Sequence, residues 1–280
     1  MRGFGAFLAG LFAVVAFAVL LPTAWVTANI ADEDGYVDLS RGVLEDAGTR
    51  DAVVSAVSDE LGGQTRQRLV DLGVPQSLID QTLAGVEGFV GQGLASEAVV
   101  DAWGESQRAA HRDMFRQDGS GFVVELGPLV NAVAVQAGVD LAVPTSFPIE
   151  DDSTASRRAV QLIGASPMLA VTAGLVAIVG ALSAVLLARS RGAALVWLGL
   201  GGLLGVGLSY VGARMASASD VTAGAGAGDQ VVSALLDVAR ESYDGLLGRA
   251  ALGSAAVLAI GVVVVIVTAV SRRREPIAGP

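Results

Sequence analysis

The chain has no cysteine and no lysine, and a single histidine, His111. Without cysteine there are no disulfides, thiolate metal sites or thiol nucleophiles. Without lysine there is no Schiff-base chemistry and no phosphate-loop lysine. One histidine falls short of the several His or Cys ligands that zinc sites use. Charge is also scarce. Only 16% of the 280 residues are charged against 52% hydrophobic, with a net charge of −10. Mean hydropathy is +0.60. A soluble chain of this size carries more charge. The acidic balance argues against a nucleic-acid partner. The composition predicts a membrane protein with one water-exposed portion of about domain size.

Long apolar runs are what the chain has in place of charge. Residues 4–26, 167–188, 193–213 and 250–270 each suffice to cross ~30 Å of hydrocarbon as helices rising 1.5 Å per residue. Arginines near their ends set an orientation. Arg2 precedes the first run, Arg189 and Arg191 lie in the turn between the second and third, and Arg272, Arg273 and Arg274 follow the fourth. All six fall on one side if each run spans, opposed there only by Glu275. The segment 28–165 instead carries nine arginines against 22 acids, and 214–249 carries three against five. The expected division is therefore a first span at 1–27, kept as an uncleaved signal anchor, then an extracytoplasmic domain at 28–165. Spans at 166–188 and 193–213 follow, then an external loop at 214–249, a fourth span at 250–271 and a cytoplasmic tail at 272–280. Both termini are expected in the cytoplasm, at the plasma membrane, with the lipid bilayer as the first partner.

No Asp, Glu, His or Arg lies inside the four runs, which disfavours a pump or secondary transporter. Gly201 and Gly205 form a small-xxx-small pair on the third run. Such a pair lets another backbone approach, and packing within the bundle is favoured over a dimer seam.

The external segment reads as mostly helical. Asp46 and Thr49 are candidate caps for a first helix, and Pro75 suits the first turn of a second. Residues 96–116 form a third, opened by Ser96. "GFVVEL" at 121–126 is β-branched, and "PTSFPIE" at 144–150 is held extended by its prolines; the two are able to pair as a small ribbon. Residues 153–165 read as a helix leading into the second span. Residues 229–248 form an amphipathic helix whose apolar face includes Leu236, Tyr243, Leu246 and Leu247. It is expected to run on into the fourth span and to press its apolar face on the external domain. The fold class is thus mainly α: a four-helix transmembrane bundle with an extracytoplasmic helical domain and a two-stranded ribbon.

Trp103, Gln107 and His111 are successive i+4 neighbours on the 96–116 helix. Trp103, Ala110 and Met114 define its apolar stripe, with His111 at the edge. Arg108, Arg112 and Arg116 form a polar row, with Glu105 placed to pair with Arg108 at i+3. No nucleophile elbow accompanies the histidine, so a structural role is expected over a catalytic one. The run Trp103–Gln107–Arg108–His111 resembles a motif in a group of actinobacterial four-span membrane proteins of unassigned activity. "DGSGFVVELGPLV" at 118–130 and "DEDGYVDLSRGVLEDAGTRDAVVSAVSDEL" at 32–61 are similar to segments of the same group. Gln107 stands where that group is expected to have Asn. The resemblance implies one external helical domain inserted after the first of four spans, and carries no activity with it.

Other signals are weaker. "DEDGYVD" at 32–38 overlaps part of a calcium-loop pattern but lacks its third acid and terminal Glu register. "AGAGAGD" at 223–229 reads as a linker. No catalytic, cofactor or metal residues are assigned. The expected function is a non-enzymatic envelope scaffold or partner-binding protein. Two alternatives remain: a small-molecule or lipid-binding accessory with a pocket in the external domain, and a carboxylate-based hydrolase.

Overall fold

A computed structural model describes residues 2–45, 63, 66, 70, 75–77, 97–115, 154–218 and 227–273. Among the described residues the protein is almost entirely helical, with no strand. Six α-helices are described: α1 Arg2–Val26, α2 Glu33–Glu45, α3 Glu97–Met114, α4 Thr154–Leu187, α5 Arg191–Ala218 and α6 Ala227–Arg273. A π-helical segment, Thr27–Ala31, extends α1. The candidate caps Asp46, Thr49 and Ser96, the ribbon segments, Arg116 and Arg274 lie outside the described residues.

Four helical segments are long and apolar enough to cross a membrane: Gly3–Ala31, Val160–Leu187, Arg191–Met215 and Leu236–Ser271. Their outward faces carry exposed apolar side chains, among them Phe4, Phe12, Leu182, Leu204, Val263 and Ile266. Segments apolar all round suit a hydrocarbon solvent. Residues 154–165 lead unbroken into the second of these helices, as α4. The amphipathic stretch from 229 likewise runs on without a break, since α6 is one helix of 47 residues.

The chain divides into two units. The first comprises Met1–Thr27, Ala165–Ser219 and Tyr243–Pro280; the second comprises Ala28–Gly164 and Asp220–Ser242.

In the first unit successive helices alternate in direction. Gly5 of α1 lies beside Leu187 of α4, Gly10 beside Ala184, and Leu20 beside Gly174, so α1 and α4 are antiparallel. Gly192, Gly199 and Gly202 of α5 meet Val265, Leu258 and Ser254 of α6, another antiparallel pair. A Cβ on Gly199 would stand 2.6 Å from Leu258 N, and one on Gly261 2.6 Å from Val196 N. Only glycine allows two helix backbones that close. The α4–α5 connection is short: Ala188 N bonds Ala184 O, and the Ser190 hydroxyl accepts from Ala193 N at 3.4 Å as a cap for α5. Arg189 sits in this turn. Near the opposite end Leu21, Tyr243 and Leu247 form a buried cluster with Phe17, Trp25 and Leu246. Trp25 and Tyr243 meet edge to face at 5.7 Å.

This cluster corrects one expectation. Tyr243, Leu246 and Leu247 of the amphipathic stretch pack on α1, and Leu236 is exposed. In the second unit it is Val238 that meets α2, at Gly42. A single helix 47 residues long contributes to both units, so its apolar residues divide between them.

Candidate functional site

In the second unit α2 packs on α3. Asp32 starts α2: its carboxylate accepts from Gly35 N at 2.9 Å, and its carbonyl from Tyr36 N at 3.0 Å. Glu33 and Asp34 follow in the first turn, where acids suit the helix dipole. The 32–38 stretch is thus a capped helix start, with Asp32 committed to the backbone. Among the described residues no group of three or more His, Cys, Asp or Glu is placed to hold a metal ion. A Cβ on Gly35 would collide with the Ala28 carbonyl oxygen, because the π-helical segment folds directly against the start of α2.

α2 presents Val37 and Ser40, both 1% exposed, to α3. Trp103 is fully buried there, and its indole N–H donates to Ser40 O at 3.1 Å. Ser106, Gln107, Ala110, His111 and Met114 continue the buried face. His111 is therefore inside the interface and not at its margin. Its Nε2 lies 3.0 Å from Ile30 O. A carbonyl only accepts, so that nitrogen carries the proton. The ring lies between Tyr36 and Phe115, with centroids at 5.4 and 4.8 Å. Burial pushes the Tyr36 phenol above its usual value.

Arg108 differs from the expected i+3 pairing. Its Nε lies 4.0 Å from the Glu33 carboxylate, on α2, and not with Glu105. The packing of α2 on α3 brings the interhelical acid within reach. Both side chains are over a third exposed, so solvent screens the pair and it adds little stability. The Gln107 Nε2 and Ser106 Oγ atoms are buried without a hydrogen-bond partner. Groups of that kind cost free energy. The motif members Trp103, Gln107 and His111 come together as interhelical contacts, while Arg108 stays at the rim.

In the first unit Gly201 and Gly205 face α1. A Cβ on Gly201 would collide with Val14, and one on Gly205 would touch Ala18 at 3.5 Å. Ser209, one turn on, donates its hydroxyl to Ala18 O at 3.2 Å. Pro22 lacks the N–H that would otherwise serve this carbonyl. Ser209 thus supplies a bond that the α1 sequence removes, worth about 0.6 kcal/mol between membrane helices. Sequence reasoning missed it. The signal was present in the i+4 spacing Gly201–Gly205–Ser209, set against Pro22 four residues beyond Ala18.

A groove of about 390 Å³ lies between α1, the end of α4 and α5 in this unit. Its walls are apolar, with Phe7, Leu11, Trp197 and Leu204 among them, and Arg189 and Ser190 stand at one end. The antiparallel packing brings the N-terminal end of α1, Arg189, Arg191 and the C-terminal end of α6 to that same end of the unit.

No protein-family model, curated protein or solved structure matches the chain. Function must be argued from these sites.

Proposed function

We propose that the chain is a four-span plasma-membrane protein whose extracytoplasmic helical unit serves as a non-enzymatic, partner-binding scaffold of the cell envelope. One observation carries this reading. Trp103, Gln107 and His111, the residues with the most distinctive chemistry, are buried between α2 and α3, and His111 Nε2 donates to the Ile30 carbonyl in the π-helical segment. Side chains placed this way brace α2 and α3 against each other. Catalysis instead needs reacting groups that face a substrate. The outward side of α2 and α3 is left polar and charged, with Asp34, Asp38, Asp101, Glu105 and Arg112 exposed. A mixed polar surface of that kind suits a reversible protein contact. The arginine distribution supports the orientation, with residues 28–165 outside and both termini inside.

The absence of native cysteine makes the test direct. Asp38→Cys on α2 is expected to react with a membrane-impermeant maleimide in intact cells. Ser190→Cys in the α4–α5 turn is expected to react only after the membrane is opened. The reverse pattern would sink the orientation. Photo-crosslinkers at Asp38 and Arg112 should then trap a discrete envelope protein; a chain that crosslinks only to lipid would sink the scaffold role.

A further inference from the structure

The groove between α1, the end of α4 and α5 has apolar walls and an arginine at one end. We infer that it binds an anionic phospholipid, with one acyl chain lying between α1 and α5 and the phosphate at Arg189. Length argues for an acyl chain. The groove follows α1 from Gly3 to Val14 and α5 from Ala193 to Leu204. At 1.5 Å per residue each wall is ~16 Å long. That is about half of a ~30 Å hydrocarbon core, the depth of one leaflet. Its volume of about 390 Å³ lies in the range of ligand sites, ~300–1,000 Å³. Glycine and alanine make a narrow floor at Gly10, Ala184 and Gly201, and Phe7, Leu11 and Trp197 rise at its sides. A long, thin, apolar slot fits a methylene chain and not a compact polar molecule.

Charge argues for an anionic headgroup. Arg189 lines the groove beside the Ser190 hydroxyl, and Arg191 follows in the same turn. Both arginines are exposed, and among the described residues neither forms an ion pair. Residues 1–27 and 165–219 contain no acid at all. A guanidinium at a membrane surface, unpaired among the described residues, is suited to phosphate, which it binds in a planar fork. Fixed between an acyl slot and a positive lip, the lipid would close the α1–α5 face on the arginine side. The inference rests on the four-span reading but is independent of the scaffold role.

Native mass spectrometry of the full chain, delipidated in mild detergent and offered phosphatidylglycerol or phosphatidylcholine with identical acyl chains, tests it. Phosphatidylglycerol should be retained at least tenfold better. Arg189→Gln should reduce that preference about fivefold, the effect of one charge at a lipid surface. Ala193→Phe, an exposed position on the groove wall, should fill the slot and weaken retention of both lipids. Equal retention of the two lipids by the unaltered chain would overturn the proposal, as would a preference undiminished in Arg189→Gln or a retention undiminished in Ala193→Phe. A chain recovered in soluble form without detergent would instead overturn the four-span reading, so the two failures are distinguishable. Circular dichroism of each variant checks that the helices remain.

Discussion

Trp103 is fully buried and also hydrogen-bonded, so its removal takes away both packing and a satisfied Ser40 carbonyl. Trp103→Ala is expected to cost about 3–5 kcal/mol, the range for deleting a large aromatic from a core. It should appear as faster amide hydrogen exchange throughout α2 and α3. His111 separates shape from hydrogen bonding. His111→Leu leaves the Ile30 carbonyl without its donor, at about 1–3 kcal/mol. His111→Gln keeps an N–H within reach and should be close to neutral in the same exchange measurement. A loss of cellular phenotype in His111→Gln, with normal expression and exchange, would show that the ring has a chemical role. Tyr36 adds a pH dependence. Its phenol is raised by burial, so the folded form holds its proton at pH values where an unfolded chain has released it. The corresponding stability is complete below the ordinary tyrosine value near 10 and falls as pH rises from there toward the raised value. Tyr36→Phe should reduce the alkaline decline in a chemical-denaturation series across about pH 9–12.

At the scale of elements, two of the seams between the apolar helices use small residues differently. The α5–α6 seam depends on Gly199 and Gly261, where backbone meets backbone. The α1–α5 seam depends on Gly201 and Gly205 meeting the side chains of Val14 and Ala18, and on Ser209 reaching the carbonyl that Pro22 leaves free. Gly201→Leu should force α5 away from α1 and break the Ser209 bond with it. Overpacking of this kind costs about 1–3 kcal/mol. The expected readout is loss of a disulfide between paired cysteines introduced at Ala18 and Gly205, measured with and without the leucine. The small-xxx-small spacing was legible in the sequence, but its partner helix was not. A stripe of glycines states only that something approaches. Which of three neighbouring apolar helices does so depends on side-chain shape along all of them.

At the scale of the whole molecule, the proposed orientation rests on Arg2, Arg189, Arg191, Arg272, Arg273 and Arg274. Replacing Arg189 and Arg191 by Glu removes the positive charge of the α4–α5 turn and adds acid where the first unit has almost none. Maleimide labelling at Asp38→Cys should then split into protected and accessible populations, because each orientation loses its electrostatic advantage. Complete labelling unchanged from the parent would mean that the N-terminal helix alone sets orientation.

The sequence by itself determined that four segments are apolar and long enough to span, that arginine gathers beyond one set of their ends, and that thiol and lysine chemistry are absent. Hydropathy, charge and composition are sums over consecutive residues and need no partner to be read. The continuous course of α6 was readable for the same reason, since no proline or break lies between 229 and 270. Only the tertiary structure decided where the apolar residues of that helix go, that Arg108 meets Glu33 instead of Glu105, and that His111 binds the carbonyl of Ile30. The groove beside Arg189 belongs with these. Each is a contact between positions far apart in the chain or on different helices. Such contacts depend on the crossing and rotation of whole elements, and no local pattern of residues encodes those quantities.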